Sequence, residues 1–293
     1  MACSNPRYCL RFAVDLTLLL FVGFINLMIY LFVDPFERGF FCDDEKLRLP
    51  YKDNTISIAV VAVVGIILNI ASMCLIEYLR TRRETVGKEL QIFGKKFSPW
   101  FWSMYAAAGV FLFGCACTQL STDIAKRTLG VLRPNFIDVC KPDWSQTNCS
   151  ANSMAYVYPI PCTTDNLDKL NDARQSFPSG HAAFSTFTMI YLVIYIQARL
   201  VIQEFKLIKP VLQLVCLLLN IFTCLSRISD YKHHWSDVLG GYILGATIAI
   251  LTAFYVSDLF VQKNSTISKN TVVMLQDYHQ TTTDEPRTNS HNP

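Results

Sequence analysis

The residues of this chain best equipped for chemistry fall into three short segments. They are Lys126-Arg-Thr-Leu-Gly-Val-Leu-Arg133-Pro134, then Phe177-Pro178-Ser179-Gly180-His181, then Ser226-Arg227-Ile-Ser-Asp-Tyr-Lys-His233-His-Trp-Ser-Asp237. Lys126, Arg133 and Arg227 supply cations suited to a phosphate monoester that carries close to two negative charges. The forked donors of arginine add a geometry that an ammonium lacks. Ser179 and Gly180 stand where an apolar run begins, so their backbone N–H groups are expected to face an anion at the positive end of a helix dipole. Gly180 lets that anion approach the backbone closely. His233 and Asp237 have helical i, i+4 spacing, so the carboxylate is expected to hold one ring nitrogen and leave the other as an unprotonated nucleophile. His181, from a different segment, is then placed to protonate a departing alkoxide. With fixed cations and backbone donors around the phosphoryl oxygens, the pattern calls for neither a metal nor another cofactor.

Each segment alone has a plainer reading. Lys and Arg near the end of an apolar run anchor it at a membrane interface, and Pro-Ser-Gly marks a turn or a helix start. His234 beside Trp235 suits an interfacial position and receives no catalytic role. His233, His234 and Asp237 also suggest a metal site. No cysteine or second carboxylate is positioned to complete one, however, and nearby cations oppose a divalent ion.

A series of apolar runs must position these segments. Apolar residues make up 52% of the 293, only 17% are charged and the mean hydropathy is positive, which points to a membrane protein rather than a soluble domain. A net charge of +3 leaves no broad basic face to follow a nucleic-acid backbone. Runs near the length of a membrane span occur at about Phe12 to Val33, Ile56 to Ile76, Trp100 to Leu120, Ala182 to Ala198, Leu207 to Leu225 and Val238 to Val256. Lipid offers backbone groups no partners, so all six are expected as helices. The predicted fold is therefore all-α, a six-transmembrane-helix bundle. The first run carries Asp15 and Asn26, but it is too long for the apolar part of a signal peptide and no small-residue cleavage site follows, so it counts as a span. Residues 1–261 read as one integral domain, and 262–293, rich in Thr, Asn and Asp, as a disordered cytosolic tail.

An even number of spans puts both termini on one side. That side also receives the loop from Glu77 to Pro99, with Arg80, Arg82, Arg83, Lys88, Lys95 and Lys96, which marks it as the cytosol by the positive-inside rule. Arg199, Lys206 and Lys209 agree. The same parity places all three chemical segments together at the opposite, extracellular or luminal face, although they played no part in counting the spans. Cys42, Cys140, Cys149 and Cys162 lie in polar loops on that face, where an oxidising compartment would let some of them pair, with a connectivity the sequence does not fix. Cys74, Cys115, Cys117, Cys216 and Cys224 fall in apolar runs and read as small hydrophobes. Asn148-Cys-Ser150 is a glycosylation sequon on the outer side, whereas Asn264-Ser-Thr266 falls on the cytosolic side and is expected to stay unmodified.

In order and spacing, K-x6-RP, PSGH and SR-x5-H-x3-D together resemble the three-part signature of the type 2 phosphatidic acid phosphatase superfamily. Arg38-Gly-Phe-Phe-Cys42, Asp138-Val-Cys-Lys-Pro-Asp-Trp144 and Ser229-Asp-Tyr-Lys-His-His-Trp-Ser-Asp237 resemble segments of its integral-membrane lipid phosphate phosphatases. The resemblance implies magnesium-independent, outward-facing hydrolysis of phosphatidate, lysophosphatidate, ceramide 1-phosphate and sphingosine 1-phosphate. It carries over His233 as nucleophile, Asp237 as its partner, His181 as acid, and Lys126, Arg133, Pro134, Ser179, Gly180 and Arg227 as the phosphate-binding set. It also implies membrane lipid phosphates as partners and homo-oligomers; the plasma membrane is the expected location, with an internal membrane as the alternative. Two rivals stand beside it: a phosphatase of the same fold for polyprenyl diphosphates or sugar phosphates, and a non-catalytic lipid-phosphate binding, transport or adhesion scaffold. A scaffold needs the cations but not a histidine and carboxylate at helical spacing plus a second histidine.

Overall fold

The computed structural model describes residues 6–83, 90–92, 95–150, 154–202 and 204–260. The expected tail and the Asn264 sequon lie outside the described residues, as does Lys88. One compact unit covers Met1–Leu259; of the other, Phe260–Pro293, only Phe260 is described.

Eight α-helices follow one another: α1 (Pro6–Phe32), α2 (Ile58–Arg83), α3 (Pro99–Leu129), α4 (Phe136–Cys140), α5 (Leu167–Ala173), α6 (Gly180–Arg199), α7 (Ile208–Ser229) and α8 (Trp235–Leu251). A π-helical turn, Thr252–Val256, extends α8. Among the described residues six helices are long and apolar enough to cross a membrane: α1, α2, α3, α6, α7 and α8 with its extension. The protein is an all-α, six-span integral membrane protein, as its hydropathy predicts. Four short strands, β1 (Phe40–Phe41), β2 (Leu90–Ile92), β3 (Lys95–Phe97) and β4 (Tyr156–Val157), were not foreseen. They form two antiparallel pairs, β1 with β4 and β2 with β3.

Several helices run beyond their apolar segments. α3 continues past Leu120 because the hydroxyls of Thr118, Ser121 and Thr122 return hydrogen bonds of 2.8 Å to carbonyls one turn earlier instead of breaking the helix. It stops at Gly130, whose left-handed φ of 55° and N–H bond to the Lys126 carbonyl form a C-terminal cap. The extension places Lys126 in the last helical turn.

α6 is the axis of the bundle, packed by α2, α3, α7 and α8. Residues Ala182 to Met189 are buried without interruption, so this helix is apolar or hydrogen-bonded on all sides. α8 approaches it most closely: a side chain at Gly241 would strike the Ser179 carbonyl, and one at Gly245 the Ala183 carbonyl. Phe111 of α3 stacks on Phe187, and Phe187 on Tyr191, to fill the centre. Several polar side chains buried at mid-span are paired, although Asn69 Oδ1 has no partner among the described residues. Asn220 Oδ1 accepts from Ser185 and Thr186 at 2.9 and 3.0 Å, and the Asn69 amide donates to the Gly65 and Thr188 carbonyls. α1 lies at the edge, against α3.

At one end of the bundle the loop before α2 and the long segment between α3 and α6 close over each other. β1 pairs with β4, disulfides join Cys42 to Cys149 and Cys140 to Cys162, and a small core of Phe40, Phe136, Val157 and Leu170 lies beneath. Leu49 N–H donates to the Pro134 carbonyl and Tyr51 N–H to Asp138. The basic residues Arg80, Arg82 and Arg83 sit at the other end of α2, where Arg83 bonds the Val201 carbonyl of the α6–α7 connection.

Candidate active site

The three chemical segments converge beneath those loops. A Cβ built on Gly180 would stand 3.5 Å from Lys126 Nζ, so the ammonium lies against the first turn of α6. Arg133, in the loop leading to α4, is 7% exposed and donates to Asp172 Oδ1 at 2.6 Å, while its buried Nε has no hydrogen-bond partner among the described residues. Pro134 is buried but brings no donor to the site; its carbonyl serves Leu49. Ser179 caps α6, and here the expectation needs correcting. Its own N–H donates to the Asp237 carbonyl at 3.0 Å, because Ser179 precedes the first helical residue. The first-turn amides left for an anion are those of Gly180 and His181.

The pairing of His233 with Asp237 also differs from expectation. α8 begins at Trp235 with His234 as its cap, so His233 lies in the preceding turn and helical spacing does not apply to it. Asp237 instead folds back in a capping box. Its Oδ2 accepts from His234 N–H at 2.9 Å, lies 3.0 Å from His234 Nδ1 and accepts from Ser176 Oγ at 2.6 Å. His234 is thus a ligand of Asp237 rather than an idle interfacial ring. His233 Nδ1 stands 2.7 Å from the Ser176 carbonyl. A carbonyl only accepts, so Nδ1 carries the proton and Nε2 keeps its lone pair. Burial, reinforced by Arg133, Lys126 and His181, pushes the His233 imidazole well below its ordinary value, against the opposing pull of that carbonyl. It is neutral at physiological pH, the state that the expected nucleophilic role requires.

Arg227, fully buried at the end of α7, spends its donors in an ordered way. Nε donates to Ser226 Oγ at 3.1 Å, Nη1 to Asn54 Oδ1 at 2.9 Å and Nη2 to Asp230 Oδ2 at 2.7 Å, and Nη1 also stands 3.4 Å from His181 Nε2. Asp230 is held in turn by the amide and hydroxyl of Thr55 at 2.8 and 2.6 Å, and His181 bonds the Ile56 main chain. Asn54, Thr55, Asp172, Ser176 and Asp230 therefore belong to the site, and none was singled out from the sequence. Only Asp230 gave a signal, as a carboxylate three positions after Arg227.

Lys232, next to His233 in sequence, is 3% exposed with its Nζ 3.6 Å from the centre of the Tyr51 ring. Burial and Arg133 lower it to about 8, against the pull of Asp172, Asp53 and Asp230. Asn148 is exposed in a 3-10 turn next to the Cys42–Cys149 bridge.

Fold and site define a membrane protein whose cations, first-turn amides and two histidines meet at one end of a six-helix bundle. Residues 106–260 match the PAP2 superfamily, and the chain belongs to that family. It is 41% identical to mouse phospholipid phosphatase 1 over 79% of each chain, and 38% identical to the rat protein of that name over 88% of this chain and 89% of the relative. Human phospholipid phosphatase 2 is 38% identical over 77% of this chain and 75% of its own. No solved structure matches.

Proposed function

We propose that this membrane phosphatase hydrolyses lipid phosphate monoesters, namely phosphatidate, lysophosphatidate, ceramide 1-phosphate and sphingosine 1-phosphate, through a phosphohistidine and without a metal. The observation that carries the reading is the His233 ring, whose Nδ1 lies 2.7 Å from the Ser176 carbonyl so that Nε2 is left unprotonated, set close to Lys126, Arg133 and His181.

The phosphoryl oxygens are taken by those cations and the amides of Gly180 and His181. His233 Nε2 attacks phosphorus in line; the Nε2–P bond forms as the bond to the lipid oxygen breaks, and His181, which takes up a proton as the phosphate dianion enters and offsets the surrounding cations, passes that proton to the leaving alkoxide. Water then attacks phosphorus, with His181 as base, and releases phosphate and free His233. Phosphate ligands at the ends of spans lie at headgroup depth, which supports a lipid substrate whose chains stay in hydrocarbon.

The active site faces the non-cytosolic side, extracellular if the protein resides in the plasma membrane and luminal if it resides in an internal one, and both termini face the cytosol. The two disulfides over the site and the basic residues at the opposite end of α2 support that orientation. Exposure of Asn148 supports its glycosylation there.

The test is phosphate release from lysophosphatidate by intact cells in EDTA, with wild type beside His233→Ala. Release that needs His233 but no metal is expected. Equal release from both would overturn the mechanism and favour a binding or scaffold role.

A further inference from the structure

Ser176 touches all three chemical segments. Its N–H donates to the Val131 carbonyl at 2.8 Å, between Lys126 and Arg133, and it stands immediately before Phe177-Pro178-Ser179. Its carbonyl oxygen is 2.7 Å from His233 Nδ1, and its Oγ, 3.4 Å from the same nitrogen, donates to Asp237 Oδ2 at 2.6 Å. The residue is completely buried, so no water competes for these bonds. Asp237 shares no direct hydrogen bond with His233 among the described residues; its carboxylate reaches the nucleophile through this serine.

We infer that Ser176 is the positioning residue of the nucleophile, and that Asp237 acts on His233 through the Ser176 hydroxyl. The inference rests on the phosphohistidine reading. The Ser176 carbonyl fixes the Nδ1–H tautomer and aims Nε2 at phosphorus. When the Nε2–P bond forms and the lipid oxygen leaves, the ring keeps its Nδ1 proton and gains positive charge. The Oγ lone pair faces that proton while the Oγ–H bond to Asp237 polarises the hydroxyl, so the carboxylate stabilises the charged ring from one residue away. A direct dyad would leave the serine dispensable; this arrangement makes serine and carboxylate one unit.

Residues that work as a unit give losses that do not multiply. The experiment measures kcat and KM for lysophosphatidate with purified full-length wild type, Ser176→Ala, Asp237→Asn and the double variant, in detergent micelles and per folded enzyme. Each single change is expected to lower kcat by up to about 100-fold, the scale of misplacing a reacting group, with KM within about twofold. The double variant is expected to be no slower than the slower single. Losses that multiply, or wild-type kcat in Ser176→Ala, would overturn the inference.

A second comparison keeps volume constant. Ser176→Thr retains the hydroxyl and is expected to be at least about tenfold faster than Ser176→Val, which lacks it; equal rates would reject the hydroxyl's role. Acid-labile, base-stable phosphate on His233 of the wild type, trapped with labelled lysophosphatidate, separates the two layers. Turnover without that label removes the phosphohistidine reading itself. Label together with multiplying losses removes only the assignment to Ser176.

Discussion

Asn54 and Arg227 are 173 positions apart in sequence and 2.9 Å apart in space. The amide oxygen of Asn54 fixes one arm of the guanidinium while Asp230 fixes the other, so the fork keeps one orientation toward the first turn of α6. A loop without a motif residue thereby orients Arg227, a proposed phosphate ligand.

Asn54→Ala should loosen that arm. Loss of one hydrogen bond to a charged group is worth about 1.5 to 3 kcal/mol at most, so KM for lysophosphatidate should rise by roughly tenfold, with a smaller fall in kcat. Steady-state kinetics on purified protein checks this. Asp230→Asn, which removes a charge as well, should be the more damaging of the two.

Lys232 is expected to give the reaction a basic limb, because its charge is close enough to Arg133 for the two to repel each other. With its value lowered to about 8, it loses its charge as pH rises through that point, and KM should climb above pH 8 in wild type and stay flat there in Lys232→Met. The stability effect has the opposite sign to that of a salt-bridged lysine. Between about 8 and the ordinary 10.5 the unfolded chain holds a proton the folded chain has lost, so stability rises with pH across that window. Melting temperatures from pH 7 to 10 should rise less in Lys232→Met than in wild type.

Acidification separates enzyme from substrate. Because His233 stays neutral well below its ordinary value, its protonation does not set the acid limb near neutrality. A lipid phosphate takes up its second proton near pH 6. The acid limb of kcat/KM should therefore follow the substrate and move when a substrate of different phosphate pKa is used.

Gly241→Val tests the contact of α8 with α6. Its side chain would meet the Ser179 carbonyl and Ala183 N–H, both backbone, so the helices must separate. A loss of about 1 to 3 kcal/mol is expected, with a lower melting temperature in detergent. Activity should fall further than stability, since α8 carries Asp237 and holds the Ser179 amide.

The bundle was readable because hydrocarbon demands long apolar helices, and the three motifs because cations, histidines and a carboxylate recur in fixed order and spacing at the same face. Span parity brought Lys126, His181 and His233 to one end without help from their chemistry. What failed was local: His233 and Asp237 have helical spacing, but a helix cap falls between them, at His234, and hydropathy does not mark caps. Ser179 was misjudged for the same reason, by one residue. Ser176 and Asn54 were invisible in principle, since an uncharged polar residue in a loop shows its value only once distant segments meet. β1 and β4, two residues each, carry too little periodicity to be seen.

The Ser179–Asp237 backbone bond and the Cys42–Cys149 bridge also fix an order of assembly. The α1–α2 loop emerges from the ribosome early, yet its covalent partner lies 107 residues later, and the amide of Ser179 waits for a carbonyl that arrives with α8. Lys126 and Arg133 are made early, but Arg227 precedes His233 by only six positions, so the cluster of cations and the histidine are completed almost together. The proposed catalytic constellation can therefore close only when the sixth span enters the membrane and draws the earlier pieces together.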